Sequence, residues 1–144
     1  MKTKKLTFLL ALTFLFLFSG SSVVFGDDLQ DGWDAYHRKD YKTTYKLWLP
    51  LAKQGYAEAQ YLLGMMYGEG IGVPQDNKEA VKWYRLSAEQ EIAEAQYNLG
   101  IMYSNGRGVP QDYKEAVKWY RLAAEQRNEG AEVNLAIMYD EGLN

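Results

Sequence analysis

Shifted against itself by 36 residues, the sequence aligns 57–92 with 93–128, and 27 of the 36 positions are identical. A fixed period in the range of about 20–50 residues restricts a chain to repeat architectures, because each unit leaves an apolar face that only a neighbour covers. Each copy opens with Ala-Glu-Ala-Gln-Tyr (57–61 and 93–97), passes Leu63-Gly64 or Leu99-Gly100, and reaches Met66-Tyr67 or Met102-Tyr103. These apolar and small residues recur at steps of three and four, which gathers them on one face of a helix, helix A.

A turn follows in each copy: Gly70-Ile-Gly-Val-Pro-Gln-Asp76 and Gly106-Arg-Gly-Val-Pro-Gln-Asp112. The paired glycines permit the left-handed backbone that ends a helix, and proline holds the chain extended into the next one. Asp76 and Asp112 stand three residues before Glu79 and Glu115, the spacing of a reciprocal capping box. Helix B then runs from Glu79 to Gln90 and from Glu115 to Gln126. Along it Ala80, Trp83, Tyr84 and Ala88, matched by Ala116, Trp119, Tyr120 and Ala124, alternate small and large side chains that admit a neighbouring helix. One such pair cannot bury both faces, so the expected fold is all-α, a solenoid of stacked helix pairs.

The same shift extends into the flanks. Leu135, Met138, Tyr139 and Gly142 fall on Leu99, Met102, Tyr103 and Gly106, so 129–144 is a partial repeat with helix A only. In the other direction Asp40-Tyr-Lys matches Asp76-Asn-Lys and Asp112-Tyr-Lys, which makes 40–55 a helix B. Pro50 falls inside it and is expected to kink or shorten it. Leu29 to His37 forms a short opening helix, joined by a turn four residues shorter than the later ones. Residues 27–56 are thus a degenerate helix pair ahead of the repeats at 57–92 and 93–128.

Ahead of this pattern stand Lys2, Lys4 and Lys5, an uncharged Leu- and Phe-rich run from Leu6 to Phe18, and a smaller, more polar stretch to Gly26. Basic, apolar and small in that order is a secretory signal peptide, with cleavage expected after Gly26. The alternative is an inner-membrane anchor through residues 6–25, which has about the length of a membrane span. Either way the chain is expected to be exported, to the periplasm or beyond. Residues 27–144 hold 13 basic and 19 acidic side chains, a net charge of −6. That balance opposes nucleic acid and favours basic partners. Cysteine is absent, so neither disulfides nor thiolate chemistry contribute, and stability rests on helix packing.

The succession Ala-Glu-Ala-Gln-Tyr-x-Leu-Gly-x-Met-Tyr, Gly-x-Gly-Val-Pro-Gln-Asp and Glu-Ala-Val-Lys-Trp-Tyr-Arg-Leu closely resembles the Sel1-like repeat (SLR), a relative of the tetratricopeptide repeat. The resemblance covers 57–142 strongly and 29–56 weakly; the first unit, with its short turn and Trp48, looks closer to an ordinary tetratricopeptide unit. It implies a right-handed superhelix of antiparallel helix pairs whose A helices line a concave surface for a protein or peptide. Carried onto this sequence, that surface comprises Glu58, Tyr61, Met65, Glu69, Glu94, Tyr97, Ile101, Asn105, Val133, Ile137 and Asp140. Between the two strong copies Met65 becomes Ile101, Gly68 becomes Ser104 and Glu69 becomes Asn105, the variation expected of a reading surface. The A helix at Gly130–Tyr139, without a B helix after it, also offers an edge for self-association.

Enzymatic readings find little support. His37 is the sole histidine, without a second imidazole or a thiol to complete a metal or nucleophile set. Gly68-Glu-Gly-Ile-Gly72 lacks the Gly-Lys-Ser/Thr of a phosphate loop. Glu89, Glu91 and Glu94, or Asp140 and Glu141, are the acid sets to weigh for hydrolysis, at positions expected on helix surfaces and caps. A cysteine-rich branch of the SLR family carries a β-lactamase label, but its paired cysteines are missing here. The expected function is therefore a non-catalytic adaptor of the cell envelope, with no metal or cofactor. A glycan- or peptidoglycan-binding module is the alternative, for which Trp33, Tyr36 and Tyr41 are the candidate stacking residues.

Overall fold

The B helices start where an aspartate can hold the free amides. The computed structural model describes residues 26–143, and these contain seven helices and no strand. They are α1 (26–37), α2 (Tyr41–Lys53), α3 (Ala57–Glu69), α4 (Asn77–Ala88), α5 (Ala93–Asn105), α6 (Tyr113–Glu125) and α7 (Glu129–Asp140). The expected signal segment lies outside the described residues, apart from Gly26. Asp40 caps α2 through the Thr43 amide, Asp76 caps α4 through those of Lys78 and Glu79, and Asp112 caps α6 through that of Glu115. Each such cap is worth about 1 kcal/mol.

Two sequence expectations need correction. The capping box is one-sided: the amides of Asp76 and Asp112 donate to the carbonyls of Tyr67 and Tyr103, at 2.9 and 3.0 Å. The carboxylates of Glu79 and Glu115 turn instead to Lys82 and Lys118, at 3.4 and 3.5 Å, in exposed pairs that add little. Pro50 does not shorten α2, which has 13 residues like α3, α5 and α6. The proline stands in the last turn, on the solvent side, where its missing N–H deprives only the Lys46 carbonyl of a helical bond. The short first turn is as read: residues 38–40 join α1 to α2, against 70–76 between α3 and α4.

Among the described residues consecutive helices pack on one another from α2 to α7, and α1 packs on Trp48 of α2, which is the all-α solenoid expected. Within a unit the two helices meet through a glycine and a large aromatic side chain. A Cβ on Gly64 would lie 2.5 Å from the Tyr84 ring, and one on Gly100 would lie 2.6 Å from that of Tyr120. In the first unit Gly32 faces Trp48 in the same way. A second device is a buried glutamine rung. Gln60 donates to the Ala52 carbonyl at 3.1 Å, and its Oε1 accepts from Gln90 at 2.8 Å. Gln96 repeats this with Ala88 and Gln126. The polar atoms of each rung are satisfied, so burying them carries no desolvation penalty that is left unrepaid.

The resulting core is a row of three clusters. The first centres on Trp48, Leu51, Leu62, Leu63 and Met66, the second on Tyr84, Leu99, Met102 and Trp119, and the third on Ala116, Tyr120, Ala131 and Met138. Trp33, Tyr36 and Tyr41 pack against the first of these. Trp33 meets Trp48 edge-on at 5.2 Å, and Tyr36 stacks on Trp48 at 6.0 Å. All three rings are half-buried, one face of the first cluster.

Candidate partner-binding surface

Among the eleven helix A positions carried over from the family pattern, none is fully buried. Tyr61 and Tyr97 are half-buried, lying over Tyr84 and Tyr120 with ring centroids 6.1 and 6.0 Å apart. Met65 packs against the first core cluster. Glu58, Glu69, Glu94, Asn105, Val133, Ile137 and Asp140 are exposed, and Ile101 is intermediate.

The structure brings four of these residues together in two cavities between successive A helices. One, of about 150 Å³ between α3 and α5, is lined by Gly68, Glu69, Tyr84, Asn98, Ile101 and Arg107, among others. The larger, of about 460 Å³ between α5 and α7, takes in Ile101, Ser104, Asn105, Tyr113, Asn134 and Ile137 over a floor that includes Tyr120 and Met138. Glu58, Tyr61, Met65, Glu94, Tyr97, Val133 and Asp140 border neither.

Several lining residues lie outside the family pattern, and for Asn98, Ser104, Arg107 and Tyr113 the signal was a difference between the copies. The two copies differ at nine positions, and six residues of the second copy at those positions line these cavities: Asn98, Ile101, Ser104, Asn105, Arg107 and Tyr113. Asn98 stands where the first copy has Leu62, which is buried. Tyr84 and Tyr120, read from the sequence as core, are core by their rings, and both also line a cavity.

Electrostatically this surface combines acids with burial. The Tyr61 hydroxyl is held above the ordinary tyrosine range by burial first, then by the nearby carboxylates of Glu94 and Glu69. Tyr84 is pushed further in the same direction, again by burial first and then by its neighbours Tyr61 and Glu69, while Arg107 opposes the shift. The Tyr67 hydroxyl is pushed up to about 12, by burial first and then by its 2.8 Å hydrogen bond to Tyr45. All three therefore stay neutral at physiological pH and can act as hydrogen-bond donors.

The alternative chemical sites remain apart. Glu89, Glu91 and Glu125 border a separate cavity of about 400 Å³ beside Trp119, and Glu94 is not among its lining residues. Asp140 and Glu141 are exposed near the end of α7; Glu141 also lines the larger cavity, and Asp140 borders neither. His37 is exposed, its Nδ1 2.8 Å from the Trp33 carbonyl one turn back. Among the described residues no three His, Asp or Glu side chains gather as metal ligands.

Stacked helix pairs and glycine–aromatic contacts within each pair define an α-solenoid of helical repeats. The Sel1 repeat model matches residues 57–91 and 93–128, and the chain belongs to the Sel1-like repeat family. A protective antigen present in uropathogenic Escherichia coli strains, displaying an SLR fold, is 38% identical with a TM-score of 0.81 over 86% of this chain and 27% of its own. A Sel1 repeat protein from Oxalobacter formigenes is 38% identical with a TM-score of 0.75 over 79% of this chain and 47% of its own. The chain thus spans about a quarter and about half the length of these two relatives. Curated proteins yield no match. Sel1 repeats generally mediate protein–protein interaction, and the fold is typically a non-catalytic scaffold.

Proposed function

We propose that this chain is a non-catalytic adaptor of the cell envelope that holds a peptide or protein segment along the A helices, anchored in the two cavities between α3, α5 and α7. One observation carries the reading: six of the nine positions at which the repeats differ line those cavities, while the shared positions build the fold. Divergence concentrated where a ligand fits, on a framework kept constant, is what selection for a particular partner produces. The surface offers apolar anchors in Ile101 and Ile137, ringed by the amides of Asn105 and Asn134 and the hydroxyls of Ser104 and Tyr113. That mixture suits a peptide with an apolar side chain and a backbone in need of hydrogen bonds.

Affinity capture from an envelope fraction is expected to return one specific protein, bound about tenfold more weakly when Ile101 and Asn105 are both replaced by alanine. Capture that is indifferent to this double substitution, with helicity unchanged, would remove the groove from the interaction. Export rests on the basic, apolar and small succession of residues 1–26. Protein recovered from the envelope is expected to begin at Asp27; an N-terminus retained at Met1 would favour the membrane-anchored alternative.

A further inference from the structure

The B helices of the two full repeats carry the same residue types in the same order on their outer side: Lys78, Lys82, Leu86 and Glu89 on α4, and Lys114, Lys118, Leu122 and Glu125 on α6. Spaced by three and four residues, each set forms one exposed stripe opposite the buried alanines and aromatic rings of its helix. Leu86 and Leu122, at 39 and 36% exposure, are the exposed large apolar side chains of the B helices. The arginines that fall within the stripes, Arg85 and Arg121, are drawn aside to the hydroxyls of Tyr103 and Tyr139 on the following A helices. On α4 the stripe stays open although a further unit packs beside it, so it belongs to the flank of the solenoid and not to its end.

The order base, leucine, acid is self-complementary in one direction only. Lys82 stands four residues before Leu86 and Glu89 three after it, and Lys118 and Glu125 flank Leu122 in the same way. Against an identical face running antiparallel, with leucine on leucine at the centre, each lysine meets a glutamate of its mate about 5–6 Å along the helix. A parallel face would set lysine on lysine. Glu89, Glu91 and Glu125 line the cavity of about 400 Å³ beside Trp119 and Leu122, and no lysine or arginine is among its lining residues. That recess has room for a lysine whose stem lies on the apolar walls while its ammonium sits among the carboxylates. Among the described residues none of these three glutamates has an ion pair, and Lys82 and Lys118 have only exposed ones, with Glu79 and Glu115. The first unit departs from the pattern: Pro50 takes the place of the leucine and Lys53 that of the glutamate, so α2 would repel its counterpart and the contact is confined to α4 and α6.

We infer that the outer face of α4 and α6 is an interface between two molecules of this protein, related by a two-fold axis that crosses these helices at Leu86 and Leu122. This surface is distinct from the cavities between the A helices. Two charge variants of the full chain test it, Lys82→Glu/Lys118→Glu and Glu89→Lys/Glu125→Lys. In sedimentation equilibrium the native chain is expected to form a dimer, whose dissociation constant rises about tenfold in either variant and rises also with salt. An equimolar mixture of the two variants is expected to recover the native affinity, because each then meets the opposite charge. Lys53→Glu should tighten the dimer by removing the repulsion at α2. Ile101→Ala, a change in the cavities, should leave it unaltered, so failure here and failure of the groove reading are separable. The charged positions are all exposed, and unchanged circular dichroism keeps the comparison valid. A native chain that stays monomeric at millimolar concentration, a dimer indifferent to both variants, or a mixture that recovers nothing overturns the inference. Binding of the monomer to phosphatidylglycerol vesicles that is lost in Lys82→Glu/Lys118→Glu, with no dimer formed, overturns it in favour of a membrane surface.

Discussion

Alanine at Gly108 should cost about 3 kcal/mol or more, the sum of two independent penalties. The residue has φ +73, a left-handed conformation that charges an L side chain roughly 1–2 kcal/mol. It also rests against the preceding unit: a Cβ there would lie 2.2 Å from the carbonyl oxygen of Asn77 and 2.5 Å from its carbon. Both atoms are backbone at the first residue of α4, held in place by the Asp76 cap, so neither moves without displacing that helix start. Overpacking of this kind typically adds another 1–3 kcal/mol, roughly. At about 2–4 °C per kcal/mol for a domain of this size, the melting temperature is expected to fall by about 10 °C. Gly142 is the control, with φ +69 and nothing within 4 Å, so that Gly142→Ala pays only the conformational part. Equal melting temperatures for the two variants would show that the contact across units is not a strong constraint.

The same glycine shows how far the sequence could be read. Paired glycines after helix A identify a turn, and the turn is there. That Gly108 abuts Asn77, as Gly72 abuts Tyr41, is a contact between units that no local pattern signals. The helices were legible because their apolar period and their aspartate caps are local. The path from B to A was less so: Glu91 and Arg127 take positive φ, 66 and 63, where the first unit has Gly55, and neither residue type announces that. Ile101, Asn105 and Ile137, picked out from the sequence, line one cavity. Tyr84, Tyr120 and Asn134 were missed as lining residues, because whether a large side chain stops at the core or reaches a cavity depends on what its neighbour leaves open. At 68 the neighbour is glycine and at 104 it is serine, a difference of one hydroxymethyl group beside equivalent tyrosines.

Trp48→Ala is expected to be the more damaging of the two substitutions, and its damage should be local. The indole is inaccessible, in contact with Trp33 and Tyr36, and its Nε1 donates to the Leu29 carbonyl at 3.3 Å. Truncating a buried tryptophan costs about 3–5 kcal/mol, a large part of the stability of a domain this size. Nearly everything Trp48 touches belongs to α1, α2 and α3, and in a solenoid each unit is stabilised by its neighbours alone. Hydrogen exchange should therefore accelerate in residues 26–53 while α5 and α6, whose clusters centre on Leu99 and Tyr120, keep most of their protection. If all seven helices lose protection together, the units fold as one cooperative block and the nearest-neighbour picture fails. If protection is lost only at the first pair, partner capture through Ile101 and Asn105 should survive the mutation, because the cavity between α5 and α7 takes no residue from α1 or α2.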